Sequence, residues 1–286
     1  MSRHPASPNP TGLARRNRRL SDQETRDRML RAAIEMINRT GLTVSLDHIS
    51  FEEVVRDAGV SRSTAYRHWP YKDLFLSDLV KELARTTDPA IVHDEVQLVR
   101  QILAQHPDRL DTPESRYGLI LELIRRLALL DFQSVLTSPR WRTYFALHAT
   151  FPSLTDDDLR EQVRDALARS EAAHTAQVAL AWRQLTGLFG YRLRPELATS
   201  YEALATLLSA TMRGLVITAL STPEIATYQA VARPPGAAGA DQWSLPAIGF
   251  VAIATTFIEP DPAARWDDRR LAEIHKTLDE WQVTGP

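Results

Sequence analysis

An all-α fold is predicted by three features of this 286-residue chain. Two S-x-x-E capping boxes, Ser21 with Glu24 and Ser50 with Glu53, each open a stretch whose apolar residues recur at helical spacing. Proline falls between such stretches, at Pro89, Pro113, Pro139, Pro152, Pro195 and Pro223, where helix starts and turns tolerate it. No segment alternates with period two for long enough to argue a strand.

Residues 1–20 hold five Arg, three Pro and no acid, and a disordered basic arm is expected there. A first helix starts at Ser21, carries Leu30, Ala33, Ile34 and Ile37 on one side, and stops at Gly41 as a C-cap. The second is short, with Phe51, Val54 and Val55, and ends near Ala58-Gly59, after which Ser61 caps a third. From Asp73 onward helices are expected over 73–86, 90–105, 113–137, 139–150, 155–187, 195–221, 244–258 and 266–282. The stretch ARPPGAAGA, residues 232–240, reads as a flexible loop, and there is no internal repeat. The chain thus divides into the arm 1–20, a three-helix unit 21–72 and a larger helical unit 73–286.

The sequence has no Cys, which excludes disulfides, thiolate zinc sites and cysteine nucleophiles. The basic N-terminus has no apolar core of a secretory signal, so the chain is expected to stay in the cytoplasm. The most apolar run, residues 247–258, is too short for a membrane span of about 20 residues. It reads as a buried helix. A net charge of -2 hides an asymmetry: residues 1–72 carry 13 Lys+Arg against 8 Asp+Glu, and the rest carries 21 against 28. The basic end is the candidate for a polyanionic partner.

That end also holds the most informative stretch, AGVSRSTAYRHWPYK, residues 58–72. Gly59 permits a positive φ, and Ala58, Gly59 and Val60 suffice to turn the chain between two short helices. With Ser61 as cap, Arg62, Ser63, Thr64, Arg67 and His68 occupy an outward face while Ala65 and Trp69 face the core. Such a face is all donors and cations. A helix about 10 to 12 Å across enters the B-DNA major groove, about 12 Å wide, and touches base edges and flanking phosphates together.

Residues 50–74, SFEEVVRDAGVSRSTAYRHWPYKDL, resemble the DNA-binding segment of TetR-type transcriptional regulators, in the order A-G-V-S-x-x-x-x-Y-x-x-W-x-x-K-x-L. The resemblance covers about residues 24–80; Val55 stands where that family has a small Ala, and LTVSLDHIS ahead of the second helix is longer than usual. It implies that Arg62, Ser63 and Thr64 approach base edges. Tyr66, Arg67 and His68 would contact phosphates, Ser50 would offer its helix N-terminus to another, and Lys72 would pin one at the start of the fourth helix. Elementary geometry agrees, because Arg at a helix start can bond guanine bidentately whereas Tyr and Lys suit single oxygens. Ser50 and Ser61 are caps whether or not they touch DNA, and Tyr66 also fits a core aromatic with a wet hydroxyl. The arm either reaches a minor groove or stays idle.

The resemblance further implies a ligand-responsive repressor that binds double-stranded palindromic operator DNA as a homodimer. Helix 195–221, with Leu204, Leu207, Leu208, Leu215, Val216 and Ile217, and helix 244–258, with Ile248, Val251, Ile253 and Phe257, are candidates for a four-helix dimer interface or for ordinary core. Phe132, Trp141, Tyr144, Phe145, His148 and Trp182 are candidates to line an inducer pocket for an amphipathic, mostly uncharged ligand, though aromatics at helical spacing also build plain cores. Phe151, Phe189 and Tyr191 lie in the same stretch of chain. A constitutive DNA-binding dimer with no pocket is the alternative. No H-E-x-x-H, G-x-S-x-G, Walker A or G-x-G-x-x-G occurs, and none of the eight His pairs at i+3 or i+4. No enzymatic activity, cofactor, metal or membrane is expected.

Overall fold

The computed structural model describes residues 21–40, 49–86, 112–237 and 239–267, with Leu98, Gln101, Ile102, Arg270, Ile274 and Lys276 as single positions. The basic arm, most of LTVSLDHIS, and the bulk of the helices expected over 90–105 and 266–282 lie outside the described residues.

Helix α1 spans Asp22–Thr40. Its capping box is formed in full: the Glu24 amide donates to Ser21 Oγ at 3.0 Å, and the Ser21 amide donates to Glu24 Oε2 at 2.8 Å. Helix α2, Phe51–Asp57, is capped by Ser50, and α3, Arg62–His68, by Ser61, each hydroxyl accepting from the amide three residues on. Between them the Gly59 amide donates to the Arg56 carbonyl and the Val60 amide to the Val55 carbonyl. That pair of bonds is a Schellman motif, which needs a left-handed residue, and Gly59 supplies it with φ 63°. Val60 and Val55 are both buried, completing the motif's apolar contact. Helix α4 runs Lys72–Thr86. Its Phe75 sits edge-on to Trp69 and to Phe51, at 5.1 Å in each case, and so ties α2, α3 and α4 together.

The rest of the described chain is also helical: α5 (Pro113–Thr137), α6 (Pro139–Thr150), α7 (Asp157–Leu188), α8 (Tyr201–Ser221), a single turn α9 (Glu224–Thr227) and α10 (Leu245–Phe257). The helix expected from 195 starts six residues later. Pro195 opens only a 3₁₀ turn, Pro195–Leu197, Ala198 is left-handed at φ 44°, and Ser200 supplies the cap. Proline marks a helix start without choosing which kind, and the side-chain cap decides.

Four three-residue strands, unanticipated, form two antiparallel ladders: β1 (Tyr191–Leu193) with β4 (Ile258–Pro260), and β2 (Ala230–Ala232) with β3 (Asp241–Trp243). Three residues are too few to display a period-two pattern. The low-complexity stretch begins at Ala232, the last residue of β2, and ends just before Asp241, the first of β3.

Buried side chains form three clusters. The first unites Met29, Val54, Ala65, Trp69 and Phe75 of α1 to α4 and its turns with Tyr144 and Leu147 of α6 and Val163, Ala166 and Leu167 of α7. It crosses the division expected after Lys72. The second gathers α5 and α10 around Phe189, Tyr191 and Trp243, and the third joins Phe132 and Val135 of α5 to Met212, Val216 and Ala219 of α8. Among the described helices, α8 is long and apolar enough to cross a membrane, and 39% of its most apolar 18 residues are buried. It packs on α7 and α10, keeps Arg213 and Glu202 along its length, and buries Leu204, Leu208, Met212 and Val216 on one side.

Candidate nucleic-acid interface and buried polar cluster

Helix α3 divides cleanly by face. Ala65 and the following Trp69 are buried, whereas Arg62, Ser63, Tyr66 and Arg67 are exposed and Thr64 and His68 half-buried. The hydroxyls at its N-terminus are linked, Ser61 Oγ lying 3.1 Å from Ser63 Oγ and 2.7 Å from Thr64 Oγ1. Tyr66 is 44% exposed, its ring edge resting on Phe51 at 5.2 Å. It therefore packs on Phe51 while much of the ring stays in solvent. His68 leans on Trp69 at 4.3 Å. Lys72 is half-buried at the first position of α4, and Ser50 is half-buried at its cap.

Two acids not anticipated as part of this surface sit among the cations. Glu52 accepts from the Tyr66 hydroxyl at 2.9 Å, and Asp22 pairs with Arg67 at 3.2 Å. Its own backbone amide, the Tyr66 hydroxyl and the charges of Arg62 and Lys72 hold the Glu52 carboxyl below the usual range. The bond to Glu52 correspondingly raises Tyr66. No spacing rule joins residues on separate helices, so the sequence carries no signal for either pairing.

In the second unit, α6 brings Trp141, Tyr144, Phe145 and His148 together. The Tyr144 ring lies 5.5 Å from Trp141, 6.2 Å from Phe145 and 4.3 Å from His148. Trp141 and Phe145 also pack against the cluster that contains Phe132. Trp182 does not join them. It packs with Leu185 against the second cluster, as do Phe189 and Tyr191, because α7 is long enough to serve different cores at its two ends.

Four polar residues complete the α6 group, none of them expected from the sequence. The Tyr144 hydroxyl donates to Glu171 in a short hydrogen bond, and Arg213 Nη1 lies 2.8 Å from the same Glu171 oxygen. The Arg213 guanidinium stands 5.3 Å from the Tyr144 ring centroid and 5.8 Å from that of Trp141. His174 approaches Ser209 at 3.4 Å and Trp141 at 5.7 Å. Spacing offers a faint signal here: Glu171 and His174 are three apart on α7, Ser209 and Arg213 four apart on α8, and each pair shares a face.

Burial raises the Tyr144 hydroxyl, and the bond to Glu171 raises it further. Burial also pushes Glu171 up, but its bonds from Tyr144 and Arg213 outweigh this and leave it below the usual carboxylate range. His148 is lowered by burial against the pull of Glu171. Among the described residues, buried Nε and Nη2 of Arg213 and Nε2 of His148 meet no hydrogen-bond partner. Each such group costs about 1–3 kcal/mol if left so.

A separate surface is apolar. On α8 the side chains of Leu207, Ile217 and Leu220 are exposed, and on the adjoining α10 so is Ile248. Ala203, Leu207, Ala210, Gly214 and Ile217 follow one another at steps of three and four along the exposed side of α8. A Cβ at Gly249 would stand 3.1 Å from Thr211, which shows how closely α8 and α10 approach.

No family model matches the sequence, and no curated protein matches it. Solved structures do. The reduced form of NemR from E. coli is 14% identical over 82% of this chain and 98% of its own, with a TM-score of 0.43. A TetR family transcriptional regulator from Agrobacterium tumefaciens is 16% identical over 82% of this chain and 96% of its own, at 0.39. A transcriptional regulator from Saccharomonospora viridis, in complex with choline, is 17% identical over 83% and 99%, also at 0.39.

Proposed function

We propose that this chain is a TetR-type transcriptional regulator, a homodimeric repressor that binds palindromic operator DNA and is released by a small amphipathic ligand. The observation that carries the reading is the face of α3, where Arg62, Ser63, Tyr66 and Arg67 stand exposed on a seven-residue helix whose other face, Ala65, is wholly buried. That arrangement presents donors and cations at the end of a rigid three-helix unit, as insertion into a major groove requires. Arg62, Ser63 and Thr64 read base edges, while Tyr66, Arg67, His68, Lys72 and the Ser50 helix end hold phosphates.

One short reader gives limited affinity, and two-fold pairing of readers about 34 to 36 Å apart supplies the rest. The exposed apolar side of α8 and Ile248 of α10 support pairing through a four-helix contact. Residues 21–72 serve as the DNA-binding unit and 73–286 as the effector and dimer unit, working in the cytoplasm where the DNA is. The effector site is the α6 group, Trp141, Tyr144, Phe145 and His148 with Phe132 behind it. Gel-shift titration of full-length protein on sheared genomic DNA, with excess nonspecific competitor, tests the proposal. Retention of a few discrete fragments is expected; uniform binding of all fragments, or of none, contradicts it.

A further inference from the structure

Resting on the reading of the second unit as an effector site, we infer that Arg213 receives the carboxylate of an aromatic or otherwise apolar monocarboxylic acid on its Nε–Nη2 edge. This departs from the uncharged effector that the aromatic residues alone suggest. The guanidinium has two usable edges, and the contact with Glu171 through Nη1 takes the other. Nε and Nη2 remain, side by side, both buried and with no hydrogen-bond partner among the described residues. Two parallel N–H donors in a fixed plane match the two oxygens of a carboxylate, which a lone carbonyl does not.

The surroundings set the rest of the ligand. Trp141 and Phe145 pack along both the first and the third apolar clusters, so a ring or alkyl body held at Arg213 meets aromatic walls. Glu171 is already fixed by Tyr144 and Arg213, and its charge repels a second anion placed beside it. Burial lowers His148 against the pull of that carboxylate, so the ring beside it stays neutral. With Glu171 already on its other edge, the guanidinium leaves a bound monoanion one negative charge in excess and a phosphate dianion two, which favours the monoanion.

The test titrates full-length protein by calorimetry with benzoate, phenylacetate, 3-phenylpropanoate and decanoate, each beside its primary amide. At least one acid is expected to bind saturably, with its amide about tenfold or more weaker. Arg213→Lys keeps a cation for Glu171 but loses the two-donor edge, and should weaken the acid by a similar factor while leaving the amide unchanged. Should that variant fold poorly, the double variant Arg213→Met with Glu171→Gln removes both charges together and should likewise lose acid binding. The inference is overturned if no acid in the series binds, if amide and acid bind equally, or if acid binding survives in the Arg213 variants. Failure here with operator binding intact leaves the regulator reading standing. Acid binding by a protein that retains no genomic fragment sinks the regulator reading alone.

Discussion

Glu52 stands between Tyr66, Arg62 and Lys72 on the surface proposed to meet phosphates, and an acid there would oppose a duplex. Glu52→Gln is therefore expected to tighten DNA binding several-fold at low salt, an effect that fades as salt rises; an unchanged affinity measured by fluorescence anisotropy would remove Glu52 from the interface. Arg62→Ala should cost about 1 to 3 kcal/mol and relax preference at one base position, whereas Lys72→Ala should weaken all sequences alike and reduce the salt slope by about one. Unaltered selectivity for the first, or an unaltered slope for the second, contradicts the role given. A third residue acts on stability. Burial pushes the Asp131 carboxyl up from 3.8 to about 6, so the folded chain holds its proton to higher pH than the unfolded chain. This cost is absent below about pH 4, grows as pH rises, and stands in full above about pH 6. Because the residue keeps some opening to solvent, Asp131→Asn should stabilise by only about 1–2 kcal/mol at pH 7 and by nothing at pH 3.5; equal thermal shifts at both would contradict it. The caps Ser21, Ser50 and Ser61 were legible because a cap is a rule within four residues. Glu52 with Tyr66, and Glu171 with Arg213, were not, because each pair meets only after helices dock.

At the scale of elements, the α2–α3 turn rests on one backbone conformation. A Cβ at Gly59 meets nothing within 4 Å, so the cost of Gly59→Ala comes from φ alone. That cost is about 1–2 kcal/mol of stability, read by denaturant melts, and a neutral outcome would mean the turn is not held left-handed. The helices from α1 to α7 and α10 were legible in the sequence from caps, Pro and apolar spacing, each end within a few residues. The early start expected for α8 failed because Pro195 looked like a helix start while Ser200, the true cap, was passed over. The ladders β1–β4 and β2–β3 were illegible because partners far apart in the chain define them and neither strand has length enough to pattern.

Across the whole molecule, the first apolar cluster is the feature that links the α6 group to the helix proposed to read DNA. Tyr144 shares that cluster with Trp69 and Phe75, so a change in its packing reaches α4 and α3 through side chains in contact. Tyr144→Phe keeps the ring and removes only the bond to Glu171; effector response should fall while operator affinity holds, and equal loss of both would assign Tyr144 to stability alone. Pairing of two chains is expected to depend on the apolar side of α8. Ile217→Arg should convert the dimer to monomer in sedimentation and reduce operator affinity, and a dimer that persists would shift the interface elsewhere. The most direct measurement is selection of duplexes from a random-sequence pool by the full-length chain, followed by sequencing. Enrichment of a two-fold symmetric sequence is predicted, with half-site centres about 34 to 36 Å or a multiple apart and one position in each half-site blurred by Arg62→Ala. A pool that stays random, or an enriched sequence indifferent to Arg62 and Lys72, would contradict the claim that α3 reads DNA.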